Sequence, residues 1–467
     1  MRTSGRFRSK GQITILTAFI MLVLIGAAGV VIDSGVGYLV KAKLEGAVDA
    51  AGIAAARALS QGATQTDQIN NAVQAAQKFF DANYPAGYLR STGTLATPVV
   101  TFSRGEATIN LSGTASPPVN IMGMFGLNLL PVSATAQVVR RSLDMAFVMD
   151  TTGSLQSVGS GVRNGATYFL SLFNQLEDRV SLIHFAYGAT VDVPFKADQS
   201  RGFDRGTMNS RINGYGFAGN TNSSEGLWNA RDQLKNHISP ANYSSLRVIV
   251  FFSDGSPNTF ASYFKFHTPS DCASPGVLSA GDGSTGTPTG LYYPDRVSQA
   301  LPGNCDQGNS IISTTGGGVN RHYRYVTTPF PAYYNAHNQT DMEFPVVTNT
   351  PRQVLATPAA AGAPNYQNAW YANINRAARN LAESVALKAR TEGTYVYTLG
   401  LGSLLKNGSG PDNENGEDLL KCMANTPDSL PRCYNPNLPV GKYCWAADVA
   451  ALKSCYAEIA SGIRIAK

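Results

Sequence analysis

Charged residues are scarce in this 467-residue chain: they make up 15% of it, and the formal net charge is only +6. So small a positive charge over this length gives no support to nucleic-acid binding, which needs a dense basic patch. The chain also lacks a GxxxxGK[ST] motif, and no GxGxxG motif lies between a predicted strand and a helix. These absences argue against a nucleotide-binding protein.

Patterns of catalytic residues are also missing. The chain has five histidines, and neither Ser154 nor Ser253 lies in a nucleophile-elbow context with a histidine partner. His184 falls within a predicted strand, where a histidine with satisfied hydrogen bonds is the favoured interpretation. We therefore expect neither enzymatic activity nor a small-molecule substrate.

No charge interrupts the run from Ile13 to Ile32, which follows Arg2, Arg6, Arg8 and Lys10. Twenty helical residues span about 30 Å, the thickness of the hydrocarbon core of a bilayer. The basic flank predicts a single-pass anchor with residues 1–12 in the cytoplasm and the rest of the chain exported. A cleaved signal peptide is the alternative, although its apolar core would be only about 7–15 residues long.

Residues 33–140 are predicted to form a helical stalk followed by a small α+β region. Apolar residues continue at helical spacing to about residue 59, as a simple spacer or as a helix-packing face. Alternating apolar residues then predict three strands near residues 99–102, 107–111 and 132–138. The apolar loop at residues 121–130 could touch the membrane or a neighbouring subunit, but we favour its burial against a helix at residues 68–79.

Residues 141–467 alternate strands and helices, which predicts a doubly wound α/β sheet. Short apolar runs at residues 145–149 and 246–252 are typical of central parallel strands. Further strands are expected at residues 179–185, 190–195 and 394–401. Helices are expected at residues 162–176, 204–213, 223–237, 372–390 and 446–463.

Five oxygen-bearing side chains follow these strands or open a helix: Asp150, Thr152, Ser154, Thr221 and Asp254. Ligand sites in open α/β sheets lie beyond the carboxyl ends of the strands, so both carboxylates should meet at one edge. A set of oxygens without histidine or cysteine suits Mg2+ or Mn2+, or Ca2+, rather than zinc.

This spacing resembles the metal-ion-dependent adhesion site (MIDAS) of von Willebrand factor type A domains, with Thr152 where serine is commoner. The resemblance implies that the five side chains hold the cation, directly or through water, and leave one position open for a partner's carboxylate. It implies a binding site and not a catalytic one. The alternative is a domain in which these residues only cap helices and strands.

A long segment at residues 256–368 is rich in Gly, Pro, Ser, Thr, Asn and Tyr. It is far longer than an ordinary connection. Because it leaves directly after Asp254, we expect an insertion beside the metal edge, either as a lid or partner-recognition surface or as an inert excursion.

All six cysteines lie in the exported part: Cys272, Cys305, Cys422, Cys433, Cys444 and Cys455. An even count in an oxidising compartment predicts disulfides. Cys272 and Cys305 would close the insertion, and the other four would tie the segment around residues 427–439 to the last helix. Spacing does not fix the pairing. A zinc site is the alternative, although no Cys-x-x-Cys pair occurs.

The first sixty residues resemble the start of TadG-type tight-adherence (Flp) pilus assembly proteins, in the run KGQITILTAFIMLVLIGAAGVVIDSGVGYL. This resemblance implies a bacterial inner-membrane protein with a pilin-like stalk whose metal site binds other envelope or pilus-assembly proteins through an acidic residue. A surface adhesin for host or matrix ligands is one alternative. A structural spacer without metal chemistry is the other.

Overall fold

The computed structural model describes residues 10–59, 65–103, 106–126, 130–141, 143–266, 272–301, 309–310, 330–359 and 366–465. The chain divides into two compact units, Met1–Arg141 and Ser142–Lys467.

The first unit begins with one continuous helix, α1 (Lys10–Ala58), and a second helix, α2 (Gln65–Asn83). The stretch Ile13–Ala58 is long and apolar enough to cross a membrane by length and composition. Its first part leaves large apolar side chains such as Phe19 exposed, whereas Leu44 and Val48 further along are fully buried. A single helix therefore carries both the apolar segment and the packing face of the stalk.

A four-stranded antiparallel sheet covers this face of α1. Its strands are β1 (Thr92–Leu95), β2 (Val99–Ser103), β3 (Glu106–Ser116) and β4 (Val132–Arg141). Strand β3 pairs with β4 along one edge and with β2 and then β1 along the other. Sequence alternation predicted three of these strands. It missed β1 because Thr92–Leu95 is short, contains Gly93 and has no buried residue.

The described part of the apolar loop, residues 117–126, contacts α1. A Cβ atom added to Gly29 of α1 would lie 2.6 Å from Cγ2 of Ile121. The expectation that this loop packs against residues 68–79 is therefore replaced by packing against the first helix, where glycines leave room for it.

The second unit is built on a six-stranded sheet of β5 (Leu143–Asp150), β6 (Arg179–Phe185), β7 (Ala189–Val193), β8 (Leu246–Ser253), β13 (Tyr395–Leu401) and β16 (Tyr443–Ala446). The strand order is β16-β13-β8-β5-β6-β7, and only β7 runs antiparallel. Every residue of β5 is buried, as expected for a central parallel strand.

Helices cover both faces of this sheet, so the fold is the doubly wound α/β architecture that the sequence predicts. The helices are α3 (Gly159–Ser171), α4 (Arg205–Asn213), α5 (Ser223–Asn236), α6 (Tyr366–Thr391), α7 (Gly416–Ala424) and α8 (Leu452–Ile465). One core lies between the sheet and α3, α4 and α8, and the other between the sheet and α5, α6 and α7. Successive residues of β5, such as Phe147 and Val148, enter opposite cores.

The last predicted helix begins later than expected. Residues 446–463 were predicted to be helical, but Tyr443–Ala446 pairs with β13 as a parallel edge strand. The helix starts only at Leu452. A disulfide between Cys444 and Cys455 links this strand to the helix, and a second joins Cys422 to Cys433. Cys305 lies outside the described residues, so the expected bridge to Cys272 is not tested.

The insertion contains more regular structure than its composition indicated. It holds β9 (Thr259–Phe266), β10 (Cys272–Ser279), β11 (Thr289–Tyr292) and β12 (Asn309–Ser310), which form an antiparallel sheet. Apolar side chains of the insertion, among them Phe260, Val277 and Phe330, join the core beside α5 and α6. Turn-forming residues around these strands concealed them. A two-residue hairpin of β14 (Gly408–Ser409) and β15 (Glu414–Asn415) lies further along.

A buried ionic cluster holds the start of β5. Asp144 is fully buried and accepts hydrogen bonds from Arg179 Nε at 2.7 Å and Nη2 at 3.1 Å. Ser244 donates to it from both its backbone N–H and its hydroxyl, and Arg201 forms a second ion pair. The carboxylate is thus fully compensated by protein cations and dipoles.

We predict that Asp144→Ala lowers the free energy of unfolding of the second unit by roughly 3–5 kcal/mol, because Arg179 would remain buried without its partner. Chemical denaturation of the full chain in detergent, followed through the tryptophans of the second unit, measures this. Glu458→Ala is the matched control. It breaks the half-exposed pair with Lys442 and should cost less than about 1 kcal/mol. Equal losses in the two variants would contradict the prediction.

Candidate metal centre

Two buried acidic residues end neighbouring strands of the central sheet. Asp150 is the last residue of β5, and Asp254 directly follows β8. The two strands are parallel neighbours, with Met149 opposite Phe252. Asp150 is 0% exposed and Asp254 is 4% exposed. The sheet thus brings together two carboxylates that are about a hundred positions apart in the chain.

The carboxylate of Asp150 is fixed by donors from both strands. The backbone N–H of Thr152 donates to Oδ1 at 2.8 Å, within the loop that follows β5. The hydroxyl of Ser253, the last residue of β8, donates to Oδ2 at 2.5 Å. These contacts hold the side chain at the carboxyl edge of the sheet.

The hydroxyls of the same loop extend the cluster to Asp254. Ser154 Oγ donates to Asp254 Oδ1 at 2.9 Å and lies 3.1 Å from Thr152 Oγ1. Ser154 is exposed, whereas Thr152 is buried. The loop therefore places one hydroxyl at the surface and one inside, which leaves the cluster open to solvent on the side of Ser154.

Thr221 reaches the cluster from the turn that precedes α5. Its N–H donates to Asn258 Oδ1 at 2.9 Å, and the N–H of Asn258 donates to the Thr221 carbonyl at 3.0 Å. A Cβ atom added to Gly255 would lie 3.4 Å from Thr221 Oγ1, so this hydroxyl faces the residue after Asp254. All five predicted side chains therefore meet at one edge of the sheet.

Burial dominates the electrostatics of this cluster. It raises the pKa of Asp150 to about 6, against the opposing effect of the hydrogen bonds from Ser253 and Thr152. Burial and the nearby charge of Asp150 raise the pKa of Asp254 to about 8. Among the described residues, no Lys, Arg or His side chain lies within 4.0 Å of either carboxylate.

The two ends of β5 therefore differ. Asp144 at its start is compensated by Arg179, while Asp150 at its end has no protein cation among the described ion pairs. Buried carboxylates without a protein cation are costly to ionise unless a metal ion compensates them. Two carboxylates and three hydroxyls are hard oxygen donors, so the residues present fit Mg2+, Mn2+ or Ca2+.

Sequence reasoning missed two residues that position the cluster. Ser253 orients Asp150, and its place directly before Asp254 in FFSDG was the available signal. Asn258 orients Thr221 from the start of the insertion, and nothing in its spacing pointed to that role. His184 was assigned no chemistry, and it pairs with Asp192 at 2.6 Å and stacks on Tyr215.

Two family models match the chain. Residues 145–256 match the von Willebrand factor type A domain, and residues 11–58 match the Flp pilus-assembly TadE/G-like family. The first match contains all five residues of the cluster, and the second covers most of α1. The comparison with curated proteins gave no significant match.

Several solved structures are similar to this chain at low scores. The open conformation of the pilus adhesin SpaC from Lactobacillus rhamnosus GG is 13% identical, with a TM-score of 0.38, and the match covers 79% of this chain and 34% of that one. The vWF domain of the type V pili tip protein Mfa5 from Porphyromonas gingivalis is 14% identical, with a TM-score of 0.36. The match covers 70% of this chain and 97% of that one. Proximal thread matrix protein 1 from the mussel byssus, solved with a zinc-occupied MIDAS motif, is 11% identical, with a TM-score of 0.31. The match covers 69% of this chain and 45% of that one.

The chain spans about a third of the length of the SpaC chains that it matches. At these scores the similarity supports no inference about partners.

We predict that the metal-free protein loses stability as the pH rises from about 5.5 to about 8. Both carboxyl pKa values are raised above 3.8, so the folded state binds more protons than the unfolded state in this window. The loss should be on the order of 4 kcal/mol in urea denaturation with EDTA. Adding Mg2+ should restore the lost stability.

Asp254→Asn should remove most of this pH dependence, leaving the smaller part below about pH 6 that Asp150 contributes, and should raise the stability in EDTA at pH 8, because it removes a buried charge. Asp198→Asn is the control, since Asp198 is exposed and accepts a hydrogen bond from the Ser200 N–H. If stability still fell with pH above about pH 6 in Asp254→Asn, groups other than Asp254 would be the cause.

Proposed function

Since its two family matches make this chain a TadG-type protein with a von Willebrand factor type A domain, we propose that it is a membrane-anchored envelope component of a tight-adherence (Flp) pilus assembly machine. In this proposal its metal centre binds other envelope or pilus-assembly proteins through an acidic side chain. The chain performs no enzymatic step and binds neither nucleic acid nor a small-molecule substrate.

The observation that carries the proposal is the pair Asp150 and Asp254, buried together without a protein cation among the described residues. With Thr152, Ser154 and Thr221 they would hold Mg2+, or Mn2+ or Ca2+. A bound divalent cation would accept a carboxylate oxygen as a further ligand. The protein's part is to preorganise the oxygens, which Ser253 and Asn258 do through the hydrogen bonds to Asp150 and Thr221.

The described insertion residues border this site and would contribute to partner choice. Asn220 donates to Ser279 Oγ at 2.6 Å and to the Ala280 carbonyl at 3.0 Å, which joins the turn before α5 to the end of β10. On the β6 side, the ring of Tyr187 stacks on Tyr292 with 3.7 Å between the ring centroids. A partner that reaches the metal centre would meet this surface.

An exposed carboxylate on the insertion would add a charge requirement. Asp282 accepts a hydrogen bond from Asn258 Nδ2 at 2.6 Å, and its charge contributes to the raised pKa of Asp254. Asp282, Asp150 and Asp254 together carry three negative charges, whereas a divalent cation carries two positive charges. The site would keep a net negative charge, so a partner carboxylate should be accompanied by a Lys or Arg that pairs with Asp282.

The anchor belongs to the same proposal. Residues 13–32 would cross the bacterial inner membrane once, with the N-terminus in the cytoplasm and the bulk of the chain in the periplasm. The support for this is the apolar stretch of α1, the basic residues that precede it and the match to the pilus-assembly family.

We predict that Thr221→Ala weakens Mg2+ and Mn2+ binding at least tenfold without unfolding the protein, because it removes one ligand hydroxyl. Isothermal titration of the full chain in detergent measures the affinity. The control is Thr207→Ala, which removes a hydroxyl that is paired with Asp204 at the start of α4. Unchanged binding in Thr221→Ala would remove this residue from the site, and absence of binding in the native chain would overturn the metal proposal.

We further predict that Asp282→Asn changes partner selection and, because it removes a negative charge that acts on Asp254, weakens metal affinity less than Thr221→Ala does. Chemical cross-linking in solubilised envelopes measures partner capture. The native chain should capture its partner with Mg2+ but not with EDTA, and Thr221→Ala should lose this capture. In Asp282→Asn, capture of a partner with paired acidic and basic residues should weaken severalfold, while acidic peptides should bind more tightly. Equal capture with EDTA and with Mg2+ would contradict a metal-mediated contact.

A further inference from the structure

We propose that the described loop at residues 117–126 is a second membrane-contacting element, which lies in the lipid interface where α1 leaves the bilayer. This inference rests on the proposed membrane anchor and is independent of the metal centre. Its ligand is the lipid bilayer itself, at the depth of headgroups and first acyl carbons.

The position of the loop along α1 is the first argument. Ile121 packs directly on Gly29, where an added Cβ would lie 2.6 Å from Ile121 Cγ2. Leu130 packs on Gly37, two turns further along, where an added Cβ would lie 2.4 Å from Leu130 Cδ2. Gly29 belongs to the uncharged run that ends at Ile32. If this run spans about 30 Å of hydrocarbon, Ile121 lies level with its last turn.

Asp33 fixes the loop at this level. Its carboxylate accepts hydrogen bonds from the backbone N–H groups of Asn120, Ile121 and Met122, at 2.8, 3.1 and 2.8 Å. Asp33 is itself only 5% exposed. The first charge after the apolar run is therefore satisfied by the loop's own backbone, which also pairs three N–H groups that an apolar environment would otherwise leave without acceptors.

The chemistry of the loop suits lipid. Met124 is 73% exposed, and Val31 of α1 is equally exposed. No charged residue occurs between Pro117 and Pro131. The opposite end of the same sheet carries Glu106, Arg140 and Arg141. An exposed apolar loop at one end of the sheet is typical of a structure oriented against a membrane, and Arg90, which precedes β1 at this end, would lie at the level of the headgroups.

Continuity with the spanning segment favours lipid over a protein partner. The loop contacts the helix within and just beyond the uncharged run, so whatever covers Met124 lies at the level along α1 at which lipid would surround Val31 and Ile32. A bilayer meets this condition without any further protein. A second copy of the chain would have to exclude lipid from the same helix face.

The experiment uses the full chain in lipid vesicles with an environment-sensitive fluorophore on one introduced cysteine. Met124→Cys reports on the loop, and Val23→Cys, in the apolar run, reports on the anchor. Thr101→Cys is the matched control. It is exposed on β2 of the same sheet, near the end that lies by Gly52, about 28 Å along α1 from Asp33. The unlabelled native chain corrects for reaction at native cysteines. Each label is quenched in turn by brominated lipid and by aqueous iodide.

We expect lipid quenching at Met124→Cys to be severalfold stronger than at Thr101→Cys, with lipids brominated near the headgroup more effective than those brominated at the chain end. Val23→Cys should be quenched best by deep bromines. If Val23→Cys meets lipid while Met124→Cys responds to iodide like Thr101→Cys, the loop proposal is wrong and the anchor stands. If Met124→Cys is shielded from both quenchers, a second protein covers the loop and the proposal is also wrong. If Val23→Cys is not quenched by lipid, the anchor itself fails, and the loop proposal fails with it.

Discussion

The second unit depends on one electrostatic constraint, which is that two carboxylates are buried at the carboxyl edge of a parallel sheet without a protein cation among the described ion pairs. Asp150 and Asp254 are brought together because β5 and β8 are neighbours that end at the same level. Burial makes their joint ionisation unfavourable, and this accounts for the raised pKa of both groups. The surrounding hydroxyls and the residues that orient them follow from the need to compensate this charge.

The same strand shows what a compensated carboxylate looks like. Asp144, at the start of β5, is bound by Arg179 and Ser244 and fixes the strand in the fold. Asp150, at the other end, is held by a serine hydroxyl and a backbone N–H, which orient it without neutralising its charge. One end of the strand therefore serves stability, and the other holds the uncompensated carboxylate on which the proposed cation site depends.

The first unit is organised around one helix, α1, whose surroundings change along its length. Along α1 the exposed apolar side chains give way, beyond Asp33, to a face that packs on a small antiparallel sheet. Asp33 marks this change. Its carboxylate accepts hydrogen bonds from the backbone of a loop whose apolar side chains are costly to expose to water. The apolar part of α1, the loop and the sheet thus meet around Asp33, where the exposed apolar run of the helix ends.

The sequence by itself determined the features that depend on local patterns. Runs of β-branched and aromatic residues predicted the central strands, the uncharged run predicted the apolar helix, and the order Asp-x-Thr-x-Ser, Thr, Asp predicted the five residues that the fold brings together. These signals are local because periodicity and composition act over a few residues. The identities of Ser253 and Asn258 as positioning residues came from the tertiary structure, since a hydrogen bond between distant segments leaves no spacing signal.

Tertiary structure also decided the places where local composition was misleading. The insertion forms a sheet because its scattered aromatic residues find a core beside α5 and α6, which no window of its sequence contains. The segment Tyr443–Ala446 is a strand because β13 offers it a free edge. The loop at residues 117–126 lies on α1 because Gly29 and Asp33 provide space and an acceptor there. Propensity sets what a segment can form, and the partners available in the fold select what it does form.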